Sequence, residues 1–164
     1  MKKVFFYLFL AGAIFVFILF SCAKSDCLYD VILSITSNDE TLPAGKILCY
    51  GKHYENSVST DTLSEYLGLS GYPDFKDRIE DLAFYSTLNG DYAEIAAIKL
   101  YSSDDIEDAK LFFERRIKAV KRALNTSKKS GYASDAYIGT YGNVVVLYMM
   151  SDNQRYEDLI KNRI

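Results

Sequence analysis

Residues 4 to 20 carry no charged side chain, and that stretch limits what the rest of the chain can be. It follows Lys2 and Lys3, runs for 17 residues and holds six of the ten Phe. A basic start before an unbroken apolar run is the pattern of an export signal or a membrane anchor, not of an element in a water-soluble core. Seventeen residues is long for a cleaved signal and short for a spanning helix, so length leaves both readings open. Either way, Lys2 and Lys3 stay on the cytoplasmic side and the remainder is expected outside it. Without residues 1–21 the chain keeps 143 residues, with 17 basic and 22 acidic side chains and a formal charge of −5. That is enough for one domain with a real core.

The run ends in Leu19-Phe20-Ser21-Cys22. This resembles a bacterial lipobox, where a cysteine takes a diacylglyceryl group before signal peptidase cuts. The chemistry needs a small residue before the cut and a thiol acceptor, which Ser21 and Cys22 provide. Phe20 is larger than the residue usual two before the cysteine. On this reading residues 1–21 are a lipoprotein signal peptide, Cys22 is the lipidation site, and membrane lipid is the first partner. Two acyl chains supply the double signal that stable anchoring needs. The alternative is an uncleaved single-pass anchor with Cys22 at the interface.

The remainder reads as α+β. Residues 22–56 are expected to form a tether and an irregular or helical front segment, and residues 57–164 an α+β domain. Leu28, Val31, Ile32 and Ile35 fall at helical spacing, although the same stretch could pair as a strand. Ile47 to Tyr50 reads as a short extended piece. Ser59 to Leu67 predicts a capped helix closed by Gly68. Leu82 to Leu88 alternates, Asn89-Gly90 suits a tight hairpin turn, and Ile95 to Tyr101 returns. Ile106, Ala109, Phe113, Ile117, Val120 and Leu124 then mark one face of a helix. A second hairpin turns at Gly142-Asn143, and a last helix carries Tyr156, Leu159 and Ile160. The expected order is ββα–ββα, with an antiparallel sheet packed on one face by helices. Ser-Asp at both strand-to-helix junctions (103–104 and 151–152) gives the two halves a weak echo.

Reactive residues are sparse. The single histidine, His53, excludes every multi-histidine metal site. Cys27, Cys49 and His53 lack a fourth ligand and match no usual zinc spacing, so no metal is expected. Outside the cytoplasm a disulfide between Cys27 and Cys49 is the better use of those thiols. No His-Glu-x-x-His, Gly-x-Ser-x-Gly or phosphate-cradling glycine loop occurs, and no catalytic residue or cofactor is assigned.

Charge is distributed unevenly. Lys110, Arg115, Arg116, Lys118, Lys121, Arg122, Lys128 and Lys129 face one acid, Glu114, so residues 110–129 carry +7. The rest of the exported chain then carries −12. Basic residues suit a helix C-terminus, and Glu114 to Lys118 is a favourable pair. The same helix offers Lys110, Arg115, Lys118, Lys121, Arg122, Lys128 and Lys129 as an anionic-surface site, for lipid or an anionic envelope polymer. Nucleic acid is a poor partner for a chain with a pI near 5.2 and an external address.

Several runs resemble one family when taken together: Leu42-Pro43-Ala44-Gly45-Lys46, Tyr66-Leu67-Gly68, Glu94 to Lys99, Phe113 to Ile117, and Gly142 to Val146. In order and spacing they are similar to bacterial lipoproteins carrying Domain of Unknown Function 4358, over most of residues 28–163. The resemblance implies the fold and the external, lipid-anchored location, and it supplies no catalytic residue. The expectation is a non-catalytic binding or structural module of the bacterial cell envelope, meeting an envelope polymer or another envelope protein. An extracytoplasmic enzyme using carboxylates and tyrosines is the alternative.

Overall fold

A computed structural model describes residues 27–52, 54–87, 92–127 and 131–164. The apolar run, Cys22, His53, the Asn89-Gly90 turn, Lys128 and Lys129 lie outside the described residues. Five strands form one antiparallel sheet in the order β1-β2-β3-β5-β4. They are β1 (Gly45–Gly51), β2 (Ile79–Thr87), β3 (Glu94–Leu100), β4 (Tyr137–Tyr141) and β5 (Val144–Met149). Among the described residues four α-helices accompany them: α1 (Leu28–Thr36), α2 (Thr60–Leu67), α3 (Ile106–Ser127) and α4 (Asn153–Lys161).

The α+β class and the ββα–ββα order are as expected, with one correction. Helices cover both faces of the sheet instead of one. Leu63 and Leu67 of α2 and Ala109, Phe112, Phe113 and Val120 of α3 pack on one face. Leu28, Val31, Ile32 and Ile35 of α1 and Tyr156 and Ile160 of α4 pack on the other. The physical reason lies in β5, whose six residues are all buried. Val145, Leu147 and Met149 lie on the α3 side, while Val144, Val146 and Tyr148 lie on the side covered by α1 and α4. A strand apolar on both sides needs cover on both sides.

Strand parity also sends α3 and α4 to opposite faces. Leu100, the last residue of β3, faces the α3 side, whereas Met150, just past β5, faces the α4 side. The repeated Ser-Asp junction does not mark internal symmetry, and the two helix starts are capped by different residues, Ser102 and Asp152. Ser102 Oγ accepts from the Asp104 amide at 3.2 Å, and Asp152 Oδ1 from the Arg155 amide at 3.1 Å.

The front segment belongs to the same core. β1 pairs with β2 along its whole length, from Gly45↔Thr87 to Gly51↔Asp81. The division drawn between residues 56 and 57 falls in the connection from β1 to α2, not between separately packed units. Gly45 allows the Tyr85 ring to lie against the backbone where a Cβ would clash, and the Tyr85 hydroxyl donates to the Pro43 carbonyl.

Both hairpins form. Gly142 takes φ +58°, which a two-residue turn between Tyr141 and Val144 requires. In the first hairpin Ser86 pairs with Glu94, leaving an odd number of residues between the strands. That register is one residue longer than a two-residue Asn89-Gly90 turn would set. A bulge between Ile79 and Asp81 turns Ile79 towards α3 and leaves Asp81 on the α1 side.

The two ends of the sheet differ in what they hold. Gly51, Asp81, Lys99 and Val144 mark the end where α1 begins, called proximal here; Gly45, Thr87, Glu94 and Met149 mark the distal end. α3 starts proximally, where Arg78 bonds Asp105 at 2.9 Å and Asp108 at 3.2 Å. By Arg116 it has reached Glu94 at the distal end.

Candidate functional site

Among the described residues four acids are buried, namely Asp39, Asp81, Glu94 and Glu157, and each accepts a hydrogen bond from a tyrosine. An ionised carboxylate in a core must be met by donors or by a cation, and the phenol supplies a donor on an apolar body. Part of the Tyr-rich composition is thus used to satisfy buried carboxylates.

At the proximal end, Asp81 is 2% exposed. Its Oδ1 accepts from Tyr54 Oη at 2.6 Å and its Oδ2 from the Leu28 amide at 2.8 Å. The second bond caps α1, because Cys27 at the N-cap position makes no side-chain cap. Tyr54 Oη also accepts from the Tyr29 amide at 3.2 Å and from Cys27 Sγ at 3.1 Å. Burial, with the bond to Asp81, pushes the Tyr54 phenol far above its ordinary value, so it stays a donor.

Cys27 and Cys49 meet here as thiols. Cys49 Sγ lies 4.0 Å from the Asn56 carbonyl. Burial raises the Cys49 thiol, and the neighbouring Asp81 and Cys27 raise it further. The structure therefore brings the two expected disulfide partners into one neighbourhood without joining them.

At the distal end, Glu94 accepts from Tyr66 Oη at 2.5 Å and from Arg116 Nη2 at 2.8 Å and Nε at 3.2 Å. The Arg116 guanidinium lies 4.9 Å from the Tyr66 ring centre, and Tyr66 stacks on Phe84 at 3.9 Å. Arg116 belongs to the core side of α3, not to its basic outer face. Glu157 accepts from Tyr141 at 2.8 Å and pairs with Lys161 at 2.6 Å, which together hold its carboxyl below the ordinary value.

Asp39 bonds Thr41, Tyr156 at 2.6 Å and Arg155 at 3.0 Å. The Thr41 and Tyr156 bonds, with Arg155, outweigh burial and lower its pKa from 3.8 to about 2. A folded value below the unfolded one means that the contribution is complete above about pH 4. It is lost as pH falls through about 2. Asp39→Asn is expected to flatten the acid limb of stability between about pH 4 and 2, read by urea unfolding. A limb as steep as in the unmodified chain would assign it to another acid.

Two open clefts border the β1 edge. The proximal one, about 360 Å³, is lined by Tyr50, Lys52, Lys76, Asp77 and Tyr101, with Lys52 Nζ 6.0 Å from the Tyr101 ring centre. The other, about 370 Å³, lies between α1 and β1 beside Leu33, Leu42, Ile47 and Tyr85. Both reach the size of small-molecule sites. Among the described residues, no group of three His, Cys, Asp or Glu could hold a metal ion.

The basic residues of α3 divide into two sets. Lys110 bonds Glu107 at 2.8 Å, and the Arg115 guanidinium lies 5.0 Å from the Tyr72 ring centre. Lys118, Lys121 and Arg122 are exposed with Glu114, and no acid among the described residues lies within 4.0 Å of those three cations. At 100° per residue they share the side of α3 opposite Ala109, Phe113 and Val120. Sequence reasoning found this stripe but missed the tyrosine–carboxylate clusters, whose partners stand up to 117 residues apart. No helix among the described residues is long and apolar enough to cross a membrane. Compared with protein-family models, with curated proteins and with solved structures, the chain matches none.

Proposed function

We propose that the chain is a lipid-anchored lipoprotein on the outer face of a bacterial cell membrane, acting as a binding or structural module of the envelope. The observation that carries this reading is the junction between the apolar run and the folded body. Cys22 closes an uncharged run, and α1 begins six residues later. Its first amide is clamped by the buried Asp81. Pull on the tether is thus delivered to the sheet, which suits a body held against a membrane. The resemblance to lipoproteins carrying Domain of Unknown Function 4358 supports the same location.

The enzyme alternative draws on carboxylates and tyrosines, and the buried examples hold helices to the sheet. Binding remains the use of the exposed features: the clefts and the basic stripe. Cys22→Ala is expected to abolish incorporation of labelled fatty acid and to leave the signal uncut, raising the mass by that of residues 1–21. Unchanged labelling and mass in that variant would remove the lipoprotein reading.

A further inference from the structure

We infer that the Lys118–Lys121–Arg122 stripe of α3 is a docking surface for an anionic, phosphodiester-type envelope polymer on the side of the domain turned away from the membrane. This rests on the lipid-anchored reading and names the partner class for the module.

The argument is one of reach. From Cys22 to Cys27 there are five residue steps, at most about 17 Å of extended chain. The body is therefore tethered by the proximal end, on the α1 face. α3 lies on the opposite face of the sheet, and its stripe follows Arg116, which already pairs with Glu94 at the distal end. Along the strands the two positions stand about 20 Å apart. Across the molecule α1, the sheet and α3 add two layers of about 10 Å each. To lay the stripe on the bilayer, the tether would have to span more than its own length. Anionic headgroups act over a Debye length of about 8 Å, so the stripe lies outside their field.

A polymer rising past the domain is not so limited. The stripe belongs to a segment, residues 110–129, outside which the exported chain carries −12, so a polyanion is repelled elsewhere and directed to this face. Three cations on adjacent turns, exposed and, among the described residues, without a neighbouring acid apart from Glu114, suit a repeating charge such as a phosphodiester backbone. Arg115, stacked on Tyr72, extends the row by a turn.

The test uses the full acylated chain in zwitterionic vesicles, with fluorescent poly(glycerol phosphate) as probe. Binding is expected to be salt-sensitive. The triple variant K118E/K121E/R122E is expected to bind about thirtyfold more weakly or worse. A control with the same net charge, K46E/R163E/S70E/T140E, placed at exposed positions outside the stripe and the clefts, should stay within about threefold of the unmodified chain. Enriching the vesicles in phosphatidylglycerol should leave polymer affinity unchanged. Equal losses in the two variants would overturn the site. Loss of polymer binding on phosphatidylglycerol vesicles would turn the stripe to the bilayer and overturn its orientation. Failure of the anchor reading shows separately, in the labelling of Cys22→Ala, while the polymer assay still reports on the stripe.

Discussion

Arg116→Met is expected to destabilise the fold by about 3–5 kcal/mol, the largest loss from any single charge here. The side chain is about the same length, so packing is largely kept and the loss is electrostatic. It leaves Glu94, 1% exposed, with Tyr66 as its remaining side-chain donor in place of a bidentate cation. An uncompensated charge at that depth costs far more than an exposed pair, which is worth about 0–1 kcal/mol. The cluster also ties four elements together: Tyr66 from α2, Phe84 from β2, Glu94 from β3 and Arg116 from α3. Glu94→Gln combined with Arg116→Met is expected to recover more than half of the loss, since the buried charge is then gone. Urea unfolding of both singles and the double measures it. A single-variant loss under about 1 kcal/mol would place the pair with exposed bridges.

Asp81→Ala is expected to cost about 3 kcal/mol and to act locally on the front segment. Two donors lose their acceptor at once, the Leu28 amide and the Tyr54 hydroxyl. The first turn of α1 then lacks its cap, and Leu28, Val31, Ile32 and Ile35 are held by apolar contact alone. Amide exchange should rise across residues 28–36 before the rest of the domain. The Cys49 thiol, 6% exposed among the residues that α1 covers, should react faster with a thiol reagent. Asp81→Asn keeps one acceptor oxygen and should lose less. Unchanged exchange over α1 in Asp81→Ala would show that the helix is held by its apolar face.

Local chemistry made several elements readable in advance. Ser59 and Gly68 bound α2 as capping rules require, with Ser59 Oγ accepting from the Thr62 amide at 3.2 Å. The stripe from Ile106 to Leu124 forms the inner face of α3. Gly142-Asn143 sets the second turn, and Asn143 Nδ2 also reaches the Leu100 carbonyl at 2.5 Å, joining the turn to β3. The candidate stripe was legible for the same reason, because helical spacing alone places 118, 121 and 122 together. The Tyr–acid clusters were not, since Asp39 and Tyr156 are brought together only by the packing of α1 and α4.

The sequence by itself determined the uncharged run ending at Cys22, the periods of strands and helices, their order, and the basic face of one helix. These depend on neighbours within a turn or a hairpin, where spacing equals placement. The tertiary structure alone decided that both sheet faces are covered, that Gly45–Gly51 forms an edge strand of the same sheet, and that Arg116 turns inward. It also decided that the helix carrying the basic stripe lies across the sheet from the helix that begins at Leu28. Such facts depend on strand parity and on contacts between distant residues, which no local pattern encodes.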